Sequence, residues 1–173
     1  MTPSPSSPDG TGSGVVSPPS VPYGTGAFQQ RLDELLDNGR PGDGVRVLFY
    51  GGPQEKRQEA LGTLARYENG NVHQFRVPSL LNEYRMQTQN SLRKAFDHAA
   101  EERALLYFDE IGSLVAHDHA DASEDSAQTA APTATEYFSD RVDAYPEVVV
   151  LGLARPQSLD WAAGMVDLVV RFE

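Results

Sequence analysis

Five short runs rich in β-branched and aromatic residues, at 46–50, 73–77, 104–108, 148–152 and 168–172, are separated by stretches whose apolar residues recur at helical spacing. That alternation is the tightest constraint on the fold, because strands joined through helices pair in parallel with right-handed crossovers. It predicts an α/β domain on a doubly wound, five-stranded parallel sheet. The first helix carries Phe28, Leu32, Leu35 and Leu36 on one face, is stopped by Asn38, Gly39 and Pro41, and is expected to pack on the sheet edge. Further helices are expected at 56–67, with Ala60, Leu61, Leu64 and Ala65, in a broken region at 79–103, with Leu92, Ala95, Phe96 and Ala99, and at 136–144.

Two stretches lie outside this pattern. Residues 1–24 are mostly Pro, Ser, Gly and Thr with little to bury, so ordering them costs backbone entropy without return, and they read as a disordered tail preceding a domain at 25–173. Residues 116–133, rich in Ala, Asp, Ser and Thr, read as a mobile loop. That loop holds His117, Asp118 and His119, which read as solvated rather than as metal ligands.

Charge and composition exclude several functions. A net charge of -11 with only two lysines, Lys56 and Lys94, leaves no basic face for a phosphate backbone, so nucleic acid is not an expected partner. The absence of cysteine removes disulfides, thiolate metal sites and thiol chemistry. No apolar run approaches the roughly 18 residues of a membrane span, and the N-terminus has no secretory pattern; a cytoplasmic setting is expected.

The chemistry concentrates at the end of the third strand. There the run 105–111 (LLYFDEI) closes on adjacent carboxylates, Asp109 and Glu110, at the strand edge where open parallel sheets bind ligands. Three further landmarks stand in order with it: 47–53 (VLFYGGP), 91–99 (SLRKAFDHA) and 148–160 (VVVLGLARPQSLD). Together they resemble the large α/β P-loop subdomain of the AAA+ ATPases over residues 44–172. The first resembles the strand entering the Walker A loop, the second the helix before Walker B, the run ending in Asp109 and Glu110 Walker B itself, and the last the sensor 1 strand.

The resemblance implies ATP and Mg²⁺ as cofactors, with Asp109 as the metal-organising carboxylate and Glu110 as the water-polarising base. The phosphate loop departs from the pattern. Its glycines let backbone N–H groups converge on a phosphate, while a Lys neutralises charge and a Ser/Thr reaches Mg²⁺. Gly51 and Pro53 are retained, but Gln54 and Lys56 stand where glycines belong, Arg57 at the lysine position and Gln58 at the Ser/Thr position. Side chains at 54 and 56 penalise positive φ by about 1 kcal/mol or more each. Arg57 keeps the charge but not the shape of a lysine, and Glu55 adds an anion. ATP and Mg²⁺ binding is therefore expected to be weak or absent.

Other family positions are also altered. Ala154 falls at the sensor 1 position and Met165 and Leu168 where arginine fingers belong. The sequence stops at Glu173, and the helical lid of the family is expected to be missing. Tyr84 falls in the pore-loop position but is followed by Arg85 and Met86, and is expected to pack on a helix start; Asp33, Glu34 and Asp37 form an acidic edge on the first helix. The expected function is an AAA+-like module that no longer hydrolyses ATP and serves as a binding or regulatory subunit, for a protein partner or an intact AAA+ ATPase subunit, its oligomeric state left open. The alternatives are a residual ATPase using Lys56 or Arg57 with Asp109 and Glu110, and a scaffold that never meets nucleotide.

Overall fold

The computed structural model describes residues 17–38, 44–66, 71–122 and 132–173. In chain order they form strand β1 (Ser20–Pro22), helix α1 (Gly26–Asn38), β2 (Val45–Gly51), α2 (Gln54–Ala65), β3 (Val72–Arg76), α3 (Arg85–Glu101), β4 (Leu105–Asp109), α4 (Gly112–Ala122), α5 (Ala134–Ala144), β5 (Val148–Leu153), α6 (Leu159–Ala163) and β6 (Leu168–Phe172). The strands make one parallel sheet in the order β1-β6-β2-β5-β4-β3. This is the doubly wound α/β architecture that the alternation of strands and helices demands.

The sheet separates two cores because successive side chains of a strand point to opposite faces. From β2, Val47 and Phe49 join α1 and α2 through Phe28, Leu32, Ala60, Leu61 and Leu64, whereas Leu48 faces the other side. That second face is covered by α3, α5 and α6, with Leu92, Phe96, Phe138, Val142 and Ala162 over Leu106, Phe108, Val149 and Leu151. Phe96, Phe108 and Phe138 pack with ring centroids 5.0 to 5.8 Å apart, and burying side chains of this size contributes roughly 1.5–3 kcal/mol each.

Three boundaries differ from the sequence reading. The sheet has six strands rather than five, because β1 arises from the end of the stretch read as tail: Ser20, Val21 and Pro22 pair with Val169, Val170 and Arg171 of β6, and Val21 is buried. A three-residue strand ending in proline carries no period, and it forms only because β6 supplies a partner; Pro22 is tolerated since β1 is an edge strand. Helix α1 packs beside this edge as expected. Second, residues 116–122 belong to α4 rather than to a loop. Asp118 on that helix accepts from Ala134 N, Thr135 N and Thr135 Oγ1 at 2.9, 3.0 and 2.6 Å, which ties α4 to the start of α5. A reciprocal cap between Thr133 and Glu136 completes that helix start. Third, α2 begins at Gln54, directly after Pro53, rather than at Lys56. The remainder of the expected tail (1–16) and of the expected loop (123–131), and the Gly39 and Pro41 stop, lie outside the described residues. None of the described helices is long and apolar enough to cross a membrane.

Tyr145, just beyond α5, donates from its hydroxyl to Ala104 O at 2.5 Å and locks the helix to the start of β4. Burial, and then the charge of Glu147, push its phenol up to about 12 from 10.0. A phenol that ionises later in the folded than in the unfolded chain contributes stability that is fully present below the unfolded value and is lost as pH rises through the folded one. Urea midpoints are therefore expected to fall between pH of about 10 and about 12, and Tyr145→Phe to flatten that fall while lowering the midpoint at neutral pH. An unchanged alkaline slope in Tyr145→Phe contradicts this role.

Candidate functional site

At the carboxyl end of the sheet, β2 leaves through Gly51 and Gly52, whose φ values of +82° and +68° lie in the left-handed region. A Cβ on Gly52 would collide with Phe172 at the end of β6, so both conformation and space require glycine there. The chain then enters α2 through Pro53, which accepts from Lys56 N and Arg57 N at 3.1 and 3.4 Å.

Arg57, in the first turn of α2, folds back beneath this loop and is 5% exposed. Its Nη1 donates to Gly51 O at 2.9 Å and Gly52 O at 2.8 Å, while Nη2 lies 3.7 Å from Asp109 Oδ1. Arg57 Nε has no hydrogen-bond partner among the described residues. Both glycine carbonyls thus point at a buried cation. Their orientation is the opposite of what an anion requires, since an anion is held by N–H groups.

Asp109 ends β4 with its carboxylate buried, and Oδ1 accepts from Glu110 N at 2.9 Å. The next residue, Glu110, takes φ +59°, a left-handed conformation that costs a non-glycine residue roughly 1–2 kcal/mol. This turn directs its side chain to β3, where Arg76 Nε and Nη2 both donate to Glu110 Oε2 at 2.7 and 2.6 Å. The two groups meet because β3 pairs with β4 in a register that sets Arg76 opposite Asp109. The pair is substantially solvated and worth no more than about 1 kcal/mol, so its consequence is directional: it holds the carboxylate at the edge strand.

Close packing from β5 completes the floor. A Cβ on Gly152 would collide with Asp109 Oδ1 and stand 2.7 Å from the Tyr107 hydroxyl. Burial, and then the charge of Asp109, raise the Tyr107 phenol far above its usual range. Arg57 and Asp109 lie near enough to bear on that ionisation, yet among the described residues the hydroxyl makes no well-formed hydrogen bond.

These groups open on a cleft of about 560 Å³ whose lining includes Gln54, Arg57, Asp109, Glu110, Ala154 and Arg155. Of the residues singled out from sequence, the fold brings Arg57, Asp109 and Glu110 together here, with Gly51 contributing its carbonyl. Lys56 is exposed on α2 and lies outside the lining; Gln58 instead borders a small adjoining cavity with Asp109 and Gln74. Ala154 reaches the cleft without a side-chain donor. Leu168 is core, and Met165 accepts from Ser139 Oγ at 3.3 Å. Tyr84 does not pack on the helix start as expected but stands 60% exposed, and Met86 62%. Asp118 serves as a helix tether and His117 Nε2 lies 2.7 Å from Asn82 O, so these two are engaged within the protein rather than solvated as expected.

Three residues of the site escaped sequence reasoning. Gly152 carried a signal, because a glycine inside an otherwise branched, buried strand marks a close approach by a neighbour. Tyr107 was lost among its apolar neighbours in 105–108. Arg76 was undetectable, since its role depends on a register between strands almost thirty residues apart.

Gly152→Ala is expected to lower unfolding stability by about 1–3 kcal/mol through overpacking against Asp109 and Tyr107. Adding Tyr107→Phe, which removes an unpaired hydroxyl, should recover part of that loss in urea unfolding. A neutral Gly152→Ala would contradict the packing described.

Comparison with known proteins identifies the fold. Residues 47–171 match the model of the family described as ATPase family associated with various cellular activities (AAA). Over 117 residues the chain is 30% identical to the ATPase family gene 2 protein of Schizosaccharomyces pombe, covering 67% of this chain and 14% of that protein. The crystal structure of the FIGL-1 AAA domain in complex with ADP superposes with a TM-score of 0.59 at 16% identity, over 90% of this chain and 56% of that one, which is a likeness of fold. The chain thus spans only part of the length of the proteins it matches. On the family match and the parallel α/β sheet together, this chain belongs to the AAA family of ATPases.

Proposed function

We propose that this chain is an AAA module whose phosphate loop is occupied by its own arginine. In this reading it binds Mg·nucleotide weakly or not at all, does not hydrolyse it, and acts as a binding or regulatory subunit for a protein partner such as an intact AAA ATPase. The observation that carries the proposal is the Arg57 guanidinium, bonded at 2.9 and 2.8 Å to the two loop carbonyls and paired with the buried Asp109. An anion entering this loop meets carbonyl dipoles instead of amides, and a cation at Asp109 meets a guanidinium already in place.

The residues as arranged do not fit a triphosphate with its Mg²⁺. A metal taking Asp109 would compete with the Arg57 guanidinium, which lies 3.7 Å from its carboxylate. Glu110 lines the cleft but is paired with Arg76 on β3, a solvated contact. Ala154 offers no hydrogen bond to a water, and Glu55 adds a negative charge in the first turn of α2. A partner-facing role is favoured by Tyr84 and Met86, two large side chains left exposed at the start of α3.

The retained acids and the open cleft are what favour the rival reading, a residual ATPase in which Arg57 or Lys56 serves the phosphates, Asp109 holds Mg²⁺ and Glu110 activates water. A thermal-shift titration with Mg·ATP separates the two, because ligand at 100 times its Kd stabilises by about 2.7 kcal/mol. The proposal expects no shift at millimolar Mg·ATP and no phosphate release. A saturable shift with turnover overturns it in favour of the residual ATPase.

A further inference from the structure

Away from the cleft, three side chains of metal-binding type converge at the other end of β3. His98 lies in the last turn of α3 and Glu102 at its C-cap, four residues apart and so on one helix face. Helix α3 is the crossover from β3 to β4, so its C-terminus returns to the end of the sheet where both strands begin. There His73, the second residue of β3, meets it. One ligand atom from each of the three lies within 4.8 Å of the others. His73 Nε2 is 2.9 Å from Glu102 Oε1, and the two imidazole centroids are 5.0 Å apart.

We propose that His73, His98 and Glu102 form a Zn²⁺ site that staples the edge strand β3 to the end of α3. Tetrahedral Zn²⁺ with bonds of about 2.0–2.1 Å holds its ligands about 3.3 Å apart, which small side-chain rotations reach from the present spacing. Two imidazoles and one carboxylate suit Zn²⁺, whereas Mg²⁺ and Ca²⁺ favour all-oxygen sets; water supplies the fourth position. To bind, each imidazole presents the nitrogen without a proton, and Zn²⁺ replaces the present contact between His73 and Glu102.

The surroundings favour a cation. The C-terminal end of α3 carries the negative end of the helix dipole, and Glu101 adds its charge beside it. Along the strand, His73 stands about 10 Å from Arg76, at a rise of about 3.3 Å per residue, which makes this site separate from the nucleotide cleft.

The test is Zn²⁺ titration of the chelator-treated full chain against a chromophoric competitor, with Co²⁺ absorption as a second readout. The site predicts one equivalent of Zn²⁺ bound, a raised Tm, and a tetrahedral Co²⁺ spectrum. His98→Ala and Glu102→Gln, both exposed and outside the core, should each weaken binding by about 100-fold or more, beyond the usual effect of losing an outer-shell partner. His119→Ala on α4, which carries the other exposed histidine, should bind as wild type does. Absence of Zn²⁺ binding in the wild-type chain, or unchanged affinity in His98→Ala and Glu102→Gln, overturns the proposal.

Discussion

The arrangement of the cleft depends on one buried cation. The Arg57 guanidinium accounts for three features at once: the direction of the Gly51 and Gly52 carbonyls, the charge balance of Asp109, and the way the start of α2 is pinned under β2. A lysine, with one compact ammonium on a flexible stem, could not reach two carbonyls and a carboxylate together as a planar fork does. The glycines that remain serve the turn itself, since Phe172 leaves no room for a side chain at Gly52. The family's fold thus carries a loop whose two glycine carbonyls are bonded to Arg57.

Much of this was legible in the residues. The alternation of strand and helix patterns foretold the parallel sheet, and the run ending in Asp109 and Glu110 located its carboxyl edge. The cationic position at Arg57 was also visible, and the structure brings that charge beneath the loop. The destination of the Arg57 side chain was not legible, because a solvent-facing and an inward-folded arginine share one sequence. The clamp from Arg76 to Glu110 was hidden for a similar reason, being set by strand register. β1 escaped because three residues cannot show a period, and the helical character of 116–122 escaped because AHDHADA carries no large apolar residues to show a helical stripe.

Strand β3 links the two parts of the molecule where charge gathers. Its end at Arg76 anchors Glu110, and its beginning carries His73 toward α3. An edge strand has unpaired backbone groups along one side, so anchors at both ends oppose fraying and edge-to-edge association. On the opposite edge, β1 covers β6 in the same manner, with Tyr23 N donating to Arg171 O at 2.8 Å. Both margins of the sheet are thus secured by residues distant in sequence.

The most direct measurement of the central claim is NMR observation of the Arg57 guanidinium in the intact chain, with and without Mg·ATP. A guanidinium held by Gly51 and Gly52 is predicted to give resolved, slowly exchanging Nη–H signals that nucleotide leaves unmoved. Signals averaged by free rotation, or displaced when Mg·ATP is added, would contradict an arginine that fills the loop.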